Sequence, residues 1–228
     1  MSAVGARVSR ATPAQPAQFR YVAVFLIVLV LLLFEVLTPD ADWSRAIGIA
    51  LAGAALSVAV TTSRARAQVR RARSLFVAGA AAVVVIGIAA GLLSAGATYV
   101  IGTLVLAAIP FTLAGGVLRL INEDGVTVQA VAGALAIYLL VGLLFASAIS
   151  FVNDVEHGTY FTQTSHPPNG VRVYYSFTVI TTTGFGDYTA RTSVGHALAV
   201  LEMLTGQLYL VTVIGILVGN FVGRRMNK

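Results

Sequence analysis

Eight consecutive residues at positions 181–188, TTTGFGDY, bring two glycines, four hydroxyl side chains and one acid together between two apolar runs. The chemistry such a peptide offers is that of oxygen. A row of backbone carbonyls facing a common axis, with the Thr182 hydroxyl as a further ligand at the inner end, can replace the water around a dehydrated alkali cation. Pointing every carbonyl the same way requires successive residues to alternate between right- and left-handed backbone, and glycine alone enters the latter freely. Gly184 and Gly186 are spaced for that alternation. Asp187 follows at the outer mouth, where a negative charge concentrates cations.

A peptide of this kind must be held at membrane depth, and the composition provides for it. Of 228 residues, 57% are hydrophobic and 11% charged, whereas about a quarter of a soluble domain is charged. A helical crossing of the bilayer takes roughly 20 apolar residues. Six runs read as crossings: 21–37, 45–63, 75–94, 98–118, 127–152 and 194–222. The uninterrupted apolar part of the second, 46–60, is short and rich in Ala and Gly. Runs two to four are crowded with small residues, which suits close helix packing in lipid. The fold class expected is an all-α membrane protein with six transmembrane helices.

Basic residues collect in cytoplasmic loops. With six crossings and an internal N-terminus, Arg7, Arg10, Arg20, Arg64, Arg66, Arg70, Arg71, Arg73, Arg119, Arg224, Arg225 and Lys228 all fall inside, leaving Arg45, Arg172 and Arg191 outside. The expectation is a multi-pass protein of the plasma membrane with both termini cytoplasmic. The net charge of +6 is then a topology signal, and nucleic acid is not an expected partner. The basic run from Arg64 to Arg73 is either a solvated loop or a contact for anionic lipid headgroups.

Without cysteine, neither disulfide frameworks nor thiolate metal sites are possible. The first apolar run is followed by FEVLTPDADW, which holds no small-residue cleavage site, so it reads as a retained helix. Residues 1–19 read as a disordered tail, 20–122 as a four-helix transmembrane domain and 123–228 as a second unit containing the 181–188 peptide. No Gly-rich phosphate loop, HExxH or Ser/His/acid trio is found, and His157, His166 and His196 are unclustered. An enzyme is not expected, nor is a soluble regulatory domain.

A polar loop at 153–170 carries the turn signals Pro167, Pro168, Asn169 and Gly170. The segment VRVYYSFTVITT at 171–182 that follows is too short to span a membrane, yet apolar enough to enter one. The chain must then return to the same face, because YTARTS at 188–193 is polar. Irregular backbone at that depth survives only when buried in protein or lining a water-filled path.

The stretch TTGFGD, residues 182–187, resembles the Thr-Val-Gly-Tyr-Gly-Asp signature filter of potassium channels. The likeness covers residues 127–223: outer helix, polar turret, pore helix, filter and inner helix. The resemblance implies that K⁺ is bound by the carbonyls of Thr182, Thr183, Gly184 and Phe185 with the Thr182 hydroxyl, and that Gly186 completes the filter. One strand cannot encircle an ion, so a homotetramer is implied. Thr183 and Phe185 replace the usual Val and Tyr, and Phe185 lacks the hydroxyl that ties the filter to its aromatic surroundings. A weakly selective Na⁺/K⁺ channel on the same scaffold is therefore the alternative to a K⁺-selective one.

The resemblance also assigns supporting positions. Tyr174 and Tyr175 stand where the family commonly has Trp, and Tyr175 is placed to bond Asp187; both are equally read as an interfacial aromatic belt. Thr178 stands where some members carry a Glu behind the filter. Glu202, the one acid deep in the last helix, either supports the filter through hydroxyls such as that of Thr181, or is a protonated carboxyl satisfied locally. Gly206 matches the inner-helix hinge glycine. Gln207, Leu210, Ile214 and Val218 recur at spacings of three and four and are assigned to the inner cavity, with Val218 and Val222 near its cytoplasmic constriction. The fourth run has no arginine at three-residue spacing and only Arg119 at its inner end, so gating by a charged voltage-sensor helix is not expected.

Overall fold

The computed structural model describes residues 20–62, 95–157, 159–217 and 219. The expectations placed on residues 1–19, on the apolar run at 75–94, on Arg64, Arg66, Arg70, Arg71 and Arg73, and on Val218 and Val222 lie outside them. The described elements are α1 (Arg20–Leu37), α2 (Asp42–Thr62), α3 (Ala95–Asp124), α4 (Val128–Val155), α5 (Asn169–Ile180) and α6 (Ser193–Tyr209). α6 runs on without a break into a π-helical turn, Leu210–Ile214. Extended pairing among the described residues is limited to one isolated antiparallel bridge between Phe161 and Ala190.

Two of these elements, Val128–Val155 and the continuous run Ser193–Leu217, are long and apolar enough to cross a membrane. The apolar stretches of the others, Tyr21–Leu37, Ile47–Ala59 and Leu106–Ile121, are shorter. Of the six crossings expected, two thus meet that measure among the described residues. The helix containing the fourth run extends beyond it at both ends, reaching from Ala95 to Asp124 with Pro110 inside it.

The helices pack through narrow stripes. On α1, Tyr21, Val24, Val28 and Leu31 are buried, spaced by three and four residues, which places them on one face. They join Ala52, Ala55 and Ala59 of α2, Ile109, Leu113 and Val117 of α3, and Ala136, Leu140 and Leu143 of α4 in one cluster. The alanines of α2 let its backbone come close to its neighbours, as the small-residue composition of that run anticipates. On the opposite face of α1, Leu26, Val30 and Leu33 are exposed.

The same packing seats α5 among its neighbours. The Ser44 hydroxyl donates to the Pro39 carbonyl at 2.6 Å and accepts from the Ala41 N–H at 3.1 Å, closing the turn between α1 and α2. That turn faces the start of α5. Arg172, on the first turn of α5, is buried; its guanidinium donates to Asp40 at 2.8 Å, to the Ser150 hydroxyl at 3.0 Å and to the Pro167 carbonyl at 2.7 Å. The Asn169 side-chain amide donates to the Glu35 carboxylate. A Cβ on Gly170 would lie 2.5 Å from the Val36 carbonyl oxygen, so only glycine permits this approach.

Candidate functional site

The short helix begins two residues earlier than expected. Asn169 and Gly170, read as turn residues, form its first turn, and Pro168 occupies the N-cap. Proline suits this boundary because its φ is fixed and the missing N–H has no helical partner there. The helix ends at Ile180, with Thr181 as C-cap, so Thr181 and Thr182, placed in the helix by the sequence, belong to the loop.

Beyond the cap the chain is drawn tightly over the helix end. The Thr182 N–H donates to the Val179 carbonyl at 2.8 Å, and the Thr178 carbonyl accepts from both Thr183 at 2.9 Å and Gly184 at 3.0 Å. Left-handed backbone then recurs at every second residue: φ is +56° at Thr182, +53° at Gly184 and +78° at Gly186. The alternation expected of the two glycines is present and begins one step earlier, at a threonine. A Cβ on Gly184 or Gly186 would meet nothing within 4 Å, so dihedral freedom and not space is what these positions require. The whole stretch 181–187 is exposed in the single chain. Among the described residues, the carbonyls of Thr182, Thr183, Gly184 and Phe185 accept no hydrogen bond.

Side chains around the loop fall into an outer and an inner group. On the outer side, Tyr174 interacts with Asp187, and its ring stacks on Phe185 with planes 3° apart and centroids 6.3 Å apart. This corrects the expectation that Tyr175 bonds Asp187. Tyr175 points into a buried aromatic cluster, edge-on to Tyr160 and Phe161 at 6.1 and 5.1 Å. Its hydroxyl lies near that of Tyr160 and the Ala190 backbone, while the Tyr160 hydroxyl donates to the Gly195 carbonyl at 3.4 Å. Successive residues on a helix face different directions, so only one of the two tyrosines can face the loop. Burial pushes the Tyr160 phenol well above its ordinary pKa.

Tyr160 and Phe161 were not singled out from the sequence, although an aromatic pair inside the polar 153–170 loop was the available signal. They secure the outer rim. The Arg191 N–H donates to the Tyr160 carbonyl at 2.7 Å, and the Thr162 N–H to the Thr189 carbonyl at 3.1 Å. The chain entering α5 is thereby paired with the chain leaving the loop. Thr192 caps α6 by accepting from the Gly195 N–H at 3.0 Å, and its hydroxyl also donates to Glu156 at 3.0 Å.

On the inner side, Thr178 acts through its backbone, since its hydroxyl donates to the Tyr175 carbonyl at 2.8 Å within its own helix. The Thr181 hydroxyl donates to the Phe177 carbonyl at 2.6 Å and lies 2.9 Å from that of Thr183. Glu202, fully buried, reaches the Ser176 hydroxyl and not Thr181. Ser176 also lies 2.7 Å from the Gly142 carbonyl, so one side chain of α5 joins α4 and α6. The other Glu202 oxygen has no partner among the described residues.

Gly206 lies within regular helix, where a Cβ would collide with the Ile180 carbonyl. Its geometry is that of close contact between α6 and the end of α5. The departure from α-helical form occurs downstream, in the π turn at Leu210–Ile214. That turn interrupts the regular spacing on which Gln207, Leu210, Ile214 and Val218 are grouped. Gln207 is exposed as anticipated, but Leu210 and Ile214 are half-buried, and Ile214 packs against a cluster formed by Val126, Ala130, Ala134 and Leu217. Val211 and Gly215, at four-residue steps from Gln207, are exposed, as are Leu208, Thr212 and Ile216. A π turn takes an extra residue, which breaks the regular three- and four-residue spacing there.

Residues 134–222 match a family model described as an ion channel. No curated protein and no solved structure matches the chain. The matched residues run from the first third of α4 through α5, the 181–188 loop and α6, and this part of the chain is similar to an ion-channel family.

Proposed function

We propose that four copies of this chain form a passive K⁺-selective channel in the plasma membrane, with both termini cytoplasmic. The carbonyls of Thr182, Thr183, Gly184 and Phe185 and the Thr182 hydroxyl supply the ligands of the dehydrated ion, Gly186 completes the row, and Asp187 raises the local cation concentration at the outer mouth. The observation that carries this reading is the left-handed backbone at Thr182, Gly184 and Gly186, directly after a short helix whose Thr178 carbonyl holds the loop back on itself. The similarity of residues 134–222 to an ion-channel family supports it. K⁺ is cargo here, and the chain's part is to hold oxygens where water is stripped away. Gating does not use a charged sensor helix, because α3 carries Arg119 and no arginine series. The basic residues from Arg64 to Arg73 are a solvated loop or a contact for anionic lipid in this reading, and no nucleic acid is bound.

K⁺ flux into liposomes, compared between wild type and Gly184→Ala, tests the proposal. The expected result is loss of flux with the tetramer intact, because alanine at φ +53° is strained. Unchanged flux, or transport by a single chain, would overturn it. A weakly selective Na⁺/K⁺ channel is favoured by one observation: Phe185 is 69% exposed and has a ring stack in place of a hydroxyl anchor. Reversal potentials in asymmetric K⁺ and Na⁺ separate the two.

A further inference from the structure

Thr182 has a left-handed backbone, φ +56°, that a β-branched residue rarely adopts. Such conformations persist where surrounding contacts over-determine them, and they concentrate at functional positions. Three contacts hold this one. The Thr182 N–H donates to Val179 at 2.8 Å, its hydroxyl donates to the Thr181 carbonyl at 2.7 Å, and the Gln207 side-chain Nε2 donates to the same hydroxyl at 2.9 Å. The first two join Thr182 to residues within three positions of it in the chain. Only the third comes from α6, 25 positions away.

The hydrogen-bond inventory fixes the direction of that contact. A threonine hydroxyl has one proton and two lone pairs. With the proton on the Thr181 carbonyl, Gln207 must present its N–H and occupy one lone pair, which leaves a single lone pair for an ion. Gln207 can do so because the residue before it is Gly206, whose missing side chain lets α6 close on the Ile180 carbonyl. Gly206 permits the approach and Gln207 makes use of it.

We infer that Gln207 is a positioning residue for the innermost cation site: its amide orients the Thr182 hydroxyl and holds the left-handed turn, and so sets how well that site discriminates K⁺ from Na⁺. The inference rests on the proposed channel function. Four such amides would encircle the inner end of the loop in a tetramer. Removing them frees the hydroxyl to rotate and leaves the turn held by local contacts alone, which relaxes the spacing of the inner oxygens.

The test is the Na⁺/K⁺ permeability ratio of reconstituted tetramers, measured for wild type, Gln207→Met, Thr182→Val and the double variant. Gln207→Met keeps length and removes the donor. The ratio is expected to rise roughly two- to tenfold, the range to which one lost neutral hydrogen bond corresponds. In the Thr182→Val background, which has no hydroxyl to orient, Gln207→Met is expected to add nothing. A wild-type ratio in Gln207→Met, or an equal shift in both backgrounds, overturns the inference while leaving the channel reading in place. Wild-type protein that passes no cation overturns the channel reading itself. If Gln207→Met does not assemble, Gln207→Leu supplies the same comparison.

Discussion

The Arg172 guanidinium lies 2.8 Å from the Asp40 carboxylate, joining two residues 132 positions apart. It fastens the first turn of α5 to the turn between α1 and α2. Asn169 and Glu35 make a second polar contact across the same junction. The short helix that presents the loop is thus anchored at its start by the first helical hairpin, and at its end by Gly206 and Tyr138, whose hydroxyl donates to the Ile180 carbonyl at 3.3 Å. Displacement of the hairpin has a direct mechanical route to the loop.

Arg172→Met is expected to destabilise the protein by about 2–3 kcal/mol, because it removes the guanidinium that bonds Asp40, Ser150 and the Pro167 carbonyl. Asp40→Asn keeps an acceptor and is expected to cost about 1 kcal/mol. Thermal unfolding of the purified protein in detergent checks the order, which is the sharper expectation. Equal melting temperatures for all three proteins would show that the junction carries no energy.

Ser176→Ala strands the Glu202 carboxyl between α5 and α6, a buried polar group with its Ser176 partner removed. The cost expected is about 1–3 kcal/mol. Glu202→Gln keeps a group that can donate to Ser176 and is expected to be tolerated, whereas Glu202→Ala is not. K⁺ flux and melting temperature should fall together for the two alanine variants and stay near wild type for the glutamine.

Gly206→Ala drives a methyl group into the Ile180 carbonyl, while the same change at Gly215 meets nothing within 4 Å. Overpacking of this kind costs about 1–3 kcal/mol. Gly206→Ala should therefore reduce stability and flux together, and Gly215→Ala should leave the fold as stable as wild type or slightly more so through its better helix propensity. Identical behaviour of the two variants would remove the steric account of Gly206.

Burial raises the pKa of Tyr160 in the folded protein. Its contribution to stability is fully present below the ordinary tyrosine value of about 10 and is lost as pH rises from there through the higher folded value. Melting temperatures measured across this alkaline range are expected to decline less steeply for Tyr160→Phe than for wild type. Parallel declines would mean that the Tyr160 hydroxyl is not the group responsible.

Much of the local architecture was legible in the chain. The long apolar runs at 127–152 and 194–222, Pro167 and Pro168 before a short helix, and glycines at 184 and 186 each act over a few residues, and among the described residues they reappear at or near their expected places. Boundaries moved where a cap competes with composition, as at Asn169 and Thr181. The left-handed Thr182 could not be anticipated, because threonine does not favour that conformation and the contacts that hold it include a residue 25 positions away. A regular period across α6 did not anticipate the π turn at Leu210–Ile214, which leaves Leu210 and Ile214 half-buried.

The sequence by itself determined that this is a helical, membrane-suited chain with one polar, glycine-bearing loop between two long apolar segments, since composition and periodicity are properties of neighbouring residues. Which side chains meet across helices was decided only by tertiary structure: Gln207 with Thr182, Glu202 with Ser176, Tyr174 and not Tyr175 with Asp187, and Arg172 with Asp40. Those pairings depend on the angle and rotation at which helices pack. A glycine such as Gly206 sets them by the space it leaves, and linear spacing does not encode that.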